Sequence, residues 1–163
     1  MPRLPRILAT LTLVVLSFLA PQLFANAMQM AQAGEALLSS LSAEQHEKAT
    51  FTLNSDEHLR WHFVPDEIFP RNGLPLKEMN AEQQQQARAL LKTGLSQSGY
   101  MTASAIIELE RVLKVLEADG RFVRDNENYR VTVFNDPATD DTWAWRFEGH
   151  HLSLHFQVVE GEV

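Results

Sequence analysis

The chain has 163 residues and no cysteine. That excludes a disulfide framework, a lipid-modified cysteine anchor and thiol catalysis. Basic residues are scarce: 14 Lys and Arg stand against 21 Asp and Glu, for a formal net charge of −7. A surface of that sign repels phosphate backbones, so neither nucleic acid nor anionic membrane is an expected partner. There is no Gly-x-Ser-x-Gly, so Ser153, although close to His151 and His155, lacks the nucleophile elbow of a serine hydrolase. The aspartates of the 135–141 connector do not follow the Asp-x-Asp-x-Asp-Gly spacing of a calcium loop. The apolar run at 7–20 is shorter than the ~20 residues of a spanning helix, and Pro21 ends it.

What the N-terminus does contain is a secretory layout. Arg3 and Arg6 precede the apolar run, and Ala25-Asn26-Ala27 supplies small residues in the A-x-A arrangement, so cleavage of a signal peptide is expected after Ala27. A periplasmic or secreted protein without a stable membrane anchor follows from that reading. Beyond it, residues 28–56 read as an N-terminal helical segment and 57–163 as an α+β domain.

The richest stretch is 143–159. Trp143, Trp145 and Phe147 alternate with Arg146 and Glu148 as on a strand, whereas Leu152, Leu154, Phe156 and Val158 occupy even positions. One strand cannot bury a single face through such a change of phase. A tight turn or bulge is therefore expected at 148–150, with Gly149 supplying the unusual backbone angles. Such a break would bring His150 and His151 to one side, near Glu148.

Elsewhere the periodicities are plainer. Ser42 with Gln45, and Asn80 with Gln83, mark helix starts by the capping-box pattern. The second of these helices runs to about Thr93 with Ala87, Leu90 and Leu91 inward. A further helix is expected over 101–119, with Ile106, Leu109, Leu113 and Leu116 as its buried stripe, Glu110 pairing with Lys114, and Glu108 exposed. Residues 57–64 alternate Leu59, Trp61 and Phe63 against His58, Arg60 and His62 and read as a strand ended by Pro65. On a strand His58 and His62 would lie about 13 Å apart, too far to share a metal. Strands are also expected over 128–135, 143–148 and 151–159. The fold class is thus α+β, two central helices packed on a mostly antiparallel sheet.

A set of motifs in this chain resembles the bacterial family known as domain of unknown function 3500. They are Trp61-x-Phe63, Arg71-x-Gly73-Leu74, Gly99-Tyr100, the helix bearing Glu108, Tyr129, and above all the segment from Trp143 through Glu148-Gly149-His150-His151 to Leu154. The resemblance spans about residues 57–163. Asn135, Ala144 and His155 stand where the family pattern has two glycines and an asparagine. The resemblance implies a fold-sized unit without a mechanism, and it implies a longer chain than this one, so that the last strand would carry an unpaired edge.

Two functional readings are open on the residues. In the first, a metal-dependent enzyme or metal-binding protein uses His150 and His151 as ligands of a divalent ion, Glu148 as ligand or general base, and Arg146 to stabilise an anionic substrate. In the second, a binding module for a sugar or another small molecule uses Trp143, Trp145 and Tyr129 as an aromatic platform. The same residues also suit a purely architectural role, with the tryptophans in the core and Arg146 paired to Glu148.

Overall fold

A computed structural model describes residues 26–163; the expected signal peptide lies outside them apart from its last two positions. Residues 26–40 are helical (α1), so the helix includes the expected cleavage point after Ala27. Ala27, Met30 and Leu37 of α1 are buried at helical spacing. Ser42 then caps α2 (Ala43–Ala49) through a complete capping box with Gln45. Asn80 and Gln83 do the same for α3 (Ala81–Thr93), which buries Ala87, Leu90 and Leu91 as expected. The two boxes touch: Gln45 Nε2 donates to Gln83 Oε1 at 3.0 Å, and Gln83 Nε2 donates to the carbonyl of Ser40 at 2.7 Å.

Helix α4 (Gln97–Leu116) starts four residues before the expected position, because the Ser96 hydroxyl accepts from the Gly99 N–H and caps it there. Its buried stripe also differs from the expected one. Ala103, Ile107 and Glu110 face inward, while Leu109 and Leu116 are 53% and 75% exposed. The expected Glu110–Lys114 pair is therefore replaced by a buried carboxylate.

The sheet is mixed and mostly antiparallel. Its order is β1-β3-β4-β5, with β1 at Thr50–Phe51, β3 at Arg130–Phe134, β4 at Thr142–Gly149 and β5 at Leu152–Val159; β2 (Leu74–Pro75) pairs with β3 beyond this path. Only β1 runs parallel to its neighbour, β3. The connection after β3 turns on Asn135, which sits at φ 64 and holds the turn together by accepting from Leu53 N and donating to the carbonyl of Thr142. Asparagine is one of the few residues other than glycine that adopt this left-handed conformation.

The strand expected over 57–64 is absent. Asp56–Leu59 is a 3-10 turn and the residues after it are irregular. Leu59, Trp61 and Phe63 are exposed, whereas Glu57 is buried. The reason lies across the gap: the Arg146 guanidinium takes the main-chain carbonyls of Glu57 and Arg60 as well as the Glu57 carboxylate. Carbonyls spent on a buried cation are not available to a ladder.

The break in phase after Glu148 is a two-residue hairpin turn. Gly149 still pairs with Leu152, so the turn is His150-His151, later than expected, and His151 rather than Gly149 has positive φ, at 61. Gly149 is required for another reason. A Cβ there would meet Cδ1 of Tyr129 at 2.4 Å.

Consequently β4 is buried on both faces. Trp143, Trp145 and Phe147 join the helices in one core with Met30, Leu37, Leu90 and Ile107. The opposite face carries Arg146 and Glu148 and is covered by the segment between β1 and β2. Hydrophobic burial fixes the first face, and ionic and hydrogen-bonding contacts fix the second.

Candidate functional site

The register aligns polar residues across the covered face of the sheet. Thr132, Arg146 and His155 form one row of partners, and Arg130, Glu148 and Ser153 the next. Arg146 is fully buried, with Nη2 2.5 Å from Glu57 Oε1 and Nε 2.9 Å from Glu148 Oε1. Arg71, held on the turn before β2, lies 3.8 Å from the other oxygen of Glu148. It also binds Asp66 and donates to the carbonyls of Val64 and Gly149. Asp66 in turn accepts from Asn128 and Arg130. Two buried arginines thus bridge the covering segment to β4.

The electrostatics follow from this packing. Burial pushes the Glu148 carboxyl up to about 7, against the pull of Arg146 and Arg71. Burial also raises Asp66, but hydrogen bonds from Arg71 and Arg130 outweigh it and leave this carboxyl below its usual range. His155 is lowered to about 4 by burial, then by His58, whose ring centroid lies 4.7 Å away, and by Arg146. Burial and Arg71 lower His62 to about 4 as well. Several buried polar atoms in this layer have no hydrogen-bond partner among the described residues, including Thr132 Oγ1, Ser153 Oγ, Glu148 Oε2 and His155 Nε2. The layer lies beneath its cover, and Glu148 is only 1% exposed.

A second constellation lies at the β4–β5 turn and reaches solvent. His150 Nδ1 is 2.6 Å from Glu110 Oε1, and Glu110 is 3% exposed. Arg124 Nη1 lies 2.9 Å from the same ring nitrogen, while Arg124 also pairs with Glu117 at 2.7 Å. The Tyr129 hydroxyl donates to the His150 carbonyl at 2.7 Å, fixing the turn from beneath. Burial and the Glu110 carboxylate hold the Tyr129 phenol well above its ordinary range, so it stays a donor. A polar niche of about 20 Å³ opens beside this dyad, lined by Asp66, Arg71, Glu110, Asn128, Tyr129 and His150 among others. A groove of about 340 Å³ adjoins it, shares Val123 and Asp125 with it, and carries Arg121, Phe122 and Arg124.

The residues singled out in the sequence are thus distributed over three places. Arg146 and Glu148 belong to the covered layer. His150 lies in the niche, and His151 is exposed beside it with its ring centroid 3.8 Å away. Trp143, Trp145 and Tyr129 are buried to 2%, 0% and 1% exposure, and Trp145 stacks on Phe156. Among the described residues no group of three or more His, Cys, Asp or Glu is placed to hold a metal ion. Arg124, Asp66 and Glu57 were not singled out; Arg71 was named only within a family motif and Glu110 only as a surface partner of Lys114. For Glu110 a signal existed, since Ala103, Ile107 and Glu110 share one helical stripe. Nothing in the local pattern marked the others.

Comparison with known proteins places the chain in a family and goes no further. Residues 24–163 match the family model described as "Protein of unknown function (DUF3500)", and the chain belongs to that family. No curated protein and no solved structure matches it.

Proposed function

We propose that this member of the family is an exported protein that binds a small polar molecule at the His150 niche and exchanges protons with it through His150. The 2.6 Å contact between His150 Nδ1 and the buried Glu110 carboxylate carries the reading. The Glu110 carboxylate on Nδ1 fixes the imidazole's orientation, and Arg124 Nη1 lies 3.3 Å from Nε2, so a polar ligand would meet the ring and the guanidinium together. The niche has room for one water-sized group, so the body of a ligand would lie in the adjoining groove. Export rests on Arg3, Arg6, the apolar run and Ala25-Asn26-Ala27.

This reading takes precedence over a metal centre built on His150, His151 and Glu148, because Glu148 is engaged between Arg146 and Arg71 and His150 by Glu110. It also takes precedence over an aromatic platform, because Trp143, Trp145 and Tyr129 have no open face. The test is a thermal-shift panel of sugars, hydroxy acids and amino acids, with and without zinc, on the wild type, His150→Gln and Glu110→Gln. A class that raises the wild-type melting temperature without zinc, and fails to do so in both variants, is the expected result. Equal shifts in all three proteins, or shifts that require zinc, would sink the proposal.

A further inference from the structure

The groove beside the His150 niche is opposite in charge to the chain as a whole. Its ionic lining consists of Lys114, Glu117, Arg121, Arg124 and Asp125. Both acids are already engaged: Glu117 Oε2 takes Arg124 at 2.7 Å, and Asp125 lies 3.7 Å from Lys77. Glu110, one helical turn before Lys114, is turned inward onto His150. Lys114 and Arg121 are thereby left without an ion-pair partner among the described residues. Two such cations in a chain of net charge −7 create a local field that attracts anions.

The local packing gathers these cations. The guanidinium carbons of Arg121 and Arg124 lie 5.3 and 5.4 Å from the Phe122 ring centroid, so one aromatic side chain carries both. Arg124 is neutralised by Glu117, whereas Arg121 is exposed to the groove's solvent side. Between the two arginines, Val123 N donates to Glu67 Oε1 at 2.8 Å and ties this loop to the segment that covers the sheet. The carbonyl end of α4 borders the groove as well. A helix terminus carries only about half a negative charge, which two full positive charges outweigh. The niche is of the other sign: Asp66, Glu67, Glu110 and Asp125 are its lining carboxylates, and Arg71 is the one arginine or lysine among its lining residues. A group that enters it therefore donates hydrogen bonds, as a hydroxyl or an ammonium does. At about 20 Å³ the niche admits one such group, while the groove, at about 340 Å³, has the size of a small-molecule site.

We propose that the groove selects an organic acid: a small hydroxy acid or amino acid whose carboxylate lies on Arg121 and Lys114 while its hydroxyl or ammonium group reaches the niche. The inference rests on the His150 reading and adds to it the class and the orientation of the ligand. Arg121 supplies a planar fork that matches a carboxylate, and Lys114 supplies a second charge.

The test sets lactate, malate, gluconate, serine and lysine each beside its primary amide, which keeps the shape and removes the carboxylate charge. Binding is measured by calorimetry on the full chain and on Arg121→Gln, Lys114→Gln and His150→Gln. At least one acid is expected to bind, with its amide weaker by about tenfold or more and the acid itself weakened as salt is raised from about 20 to about 200 mM. Arg121→Gln and Lys114→Gln should each raise its Kd on the order of tenfold. Both side chains are exposed, so far-UV circular dichroism should be unchanged. An acid and an amide that bind alike, and are both lost in His150→Gln, would overturn the charge selection and leave the niche reading standing. Acid binding that survives both groove substitutions would overturn it equally. Acid binding that depends on Arg121 and Lys114 but not on His150 would support the carboxylate site and sink the niche reading. Were no acid and no amide to bind, both would fall.

Discussion

Arg146 and Glu57, 89 residues apart in sequence, meet as a fully buried ion pair with Nη2 2.5 Å from Oε1. The same guanidinium accepts no substitute, because it also serves the carbonyls of Glu57 and Arg60 and the carboxylate of Glu148. Arg146→Ala is expected to cost about 3–5 kcal/mol, since Glu57 and Glu148 are then left buried with one fewer counter-charge. Glu57→Gln keeps the shape and should cost less, roughly 1–3 kcal/mol. Urea denaturation of both variants checks the order, and an Arg146→Ala loss under 1 kcal/mol would show that the covering segment is held by other contacts.

The same layer predicts a pH dependence with two opposed parts. Glu148 is raised from 4.5 to about 7 by burial, so between those values the folded protein holds a proton that the unfolded chain releases. Its contribution to stability is complete below the unfolded value and is lost as pH rises through about 7. His155 and His62, lowered from 6.5 to about 4, act the other way: their contribution is present above 6.5 and is lost as pH falls through about 4. Glu148→Gln should therefore gain on the wild type by ~2–3 kcal/mol as pH is raised from about 5 to about 8. His155→Gln should flatten the acid side. Denaturation curves at matched pH values read both effects, and wild-type and Glu148→Gln stabilities that run parallel across this range would refute the first.

Gly149 offers a steric test. The Tyr129 ring lies where its Cβ would be, so Gly149→Ala overpacks the site and should lose about 1–3 kcal/mol. Tyr129 also fixes the His150 carbonyl, so the crowding should reach the niche. Combining Gly149→Ala with Tyr129→Leu should recover part of the loss caused by the alanine alone. A thermal melt of the single and double variants decides it, and strict additivity would rule out the steric explanation.

The elements that the sequence specified locally are those that formed as read. Capping boxes at Ser42 and Asn80, the α3 stripe and the change of phase after Glu148 depend on residues within a few positions of each other. The segment 57–64 misled because its alternation predicts a strand only if its apolar side finds a core. Here Arg146, buried by the sheet, draws in the polar side instead. The site was half legible for the same reason. His150 stood out by composition, but its partner Glu110 lies 40 residues away on a helix whose buried stripe is set by the strand beneath it. Long-range ionic pairing leaves no periodic trace in a single sequence.

The contact between the two capping boxes shows how such pairing can still be measured. Gln45 and Gln83 each close their own box and also bind each other, Gln83 Nε2 donating to Gln45 Oε1 at 2.9 Å. Gln83 is buried and serves the Asn80 N–H and the Ser40 carbonyl besides. Gln83→Ala leaves these groups unpaired and should cost roughly 2 kcal/mol, whereas Gln45→Ala, more exposed, should cost about 1. Because the side chains share hydrogen bonds, the double variant should fall short of the sum by about 0.5–1.5 kcal/mol. A double-mutant cycle in urea measures that difference. A coupling near zero would mean that the two boxes are capped independently, leaving the Gln83–Ser40 bond and the apolar core to join α1 to α3.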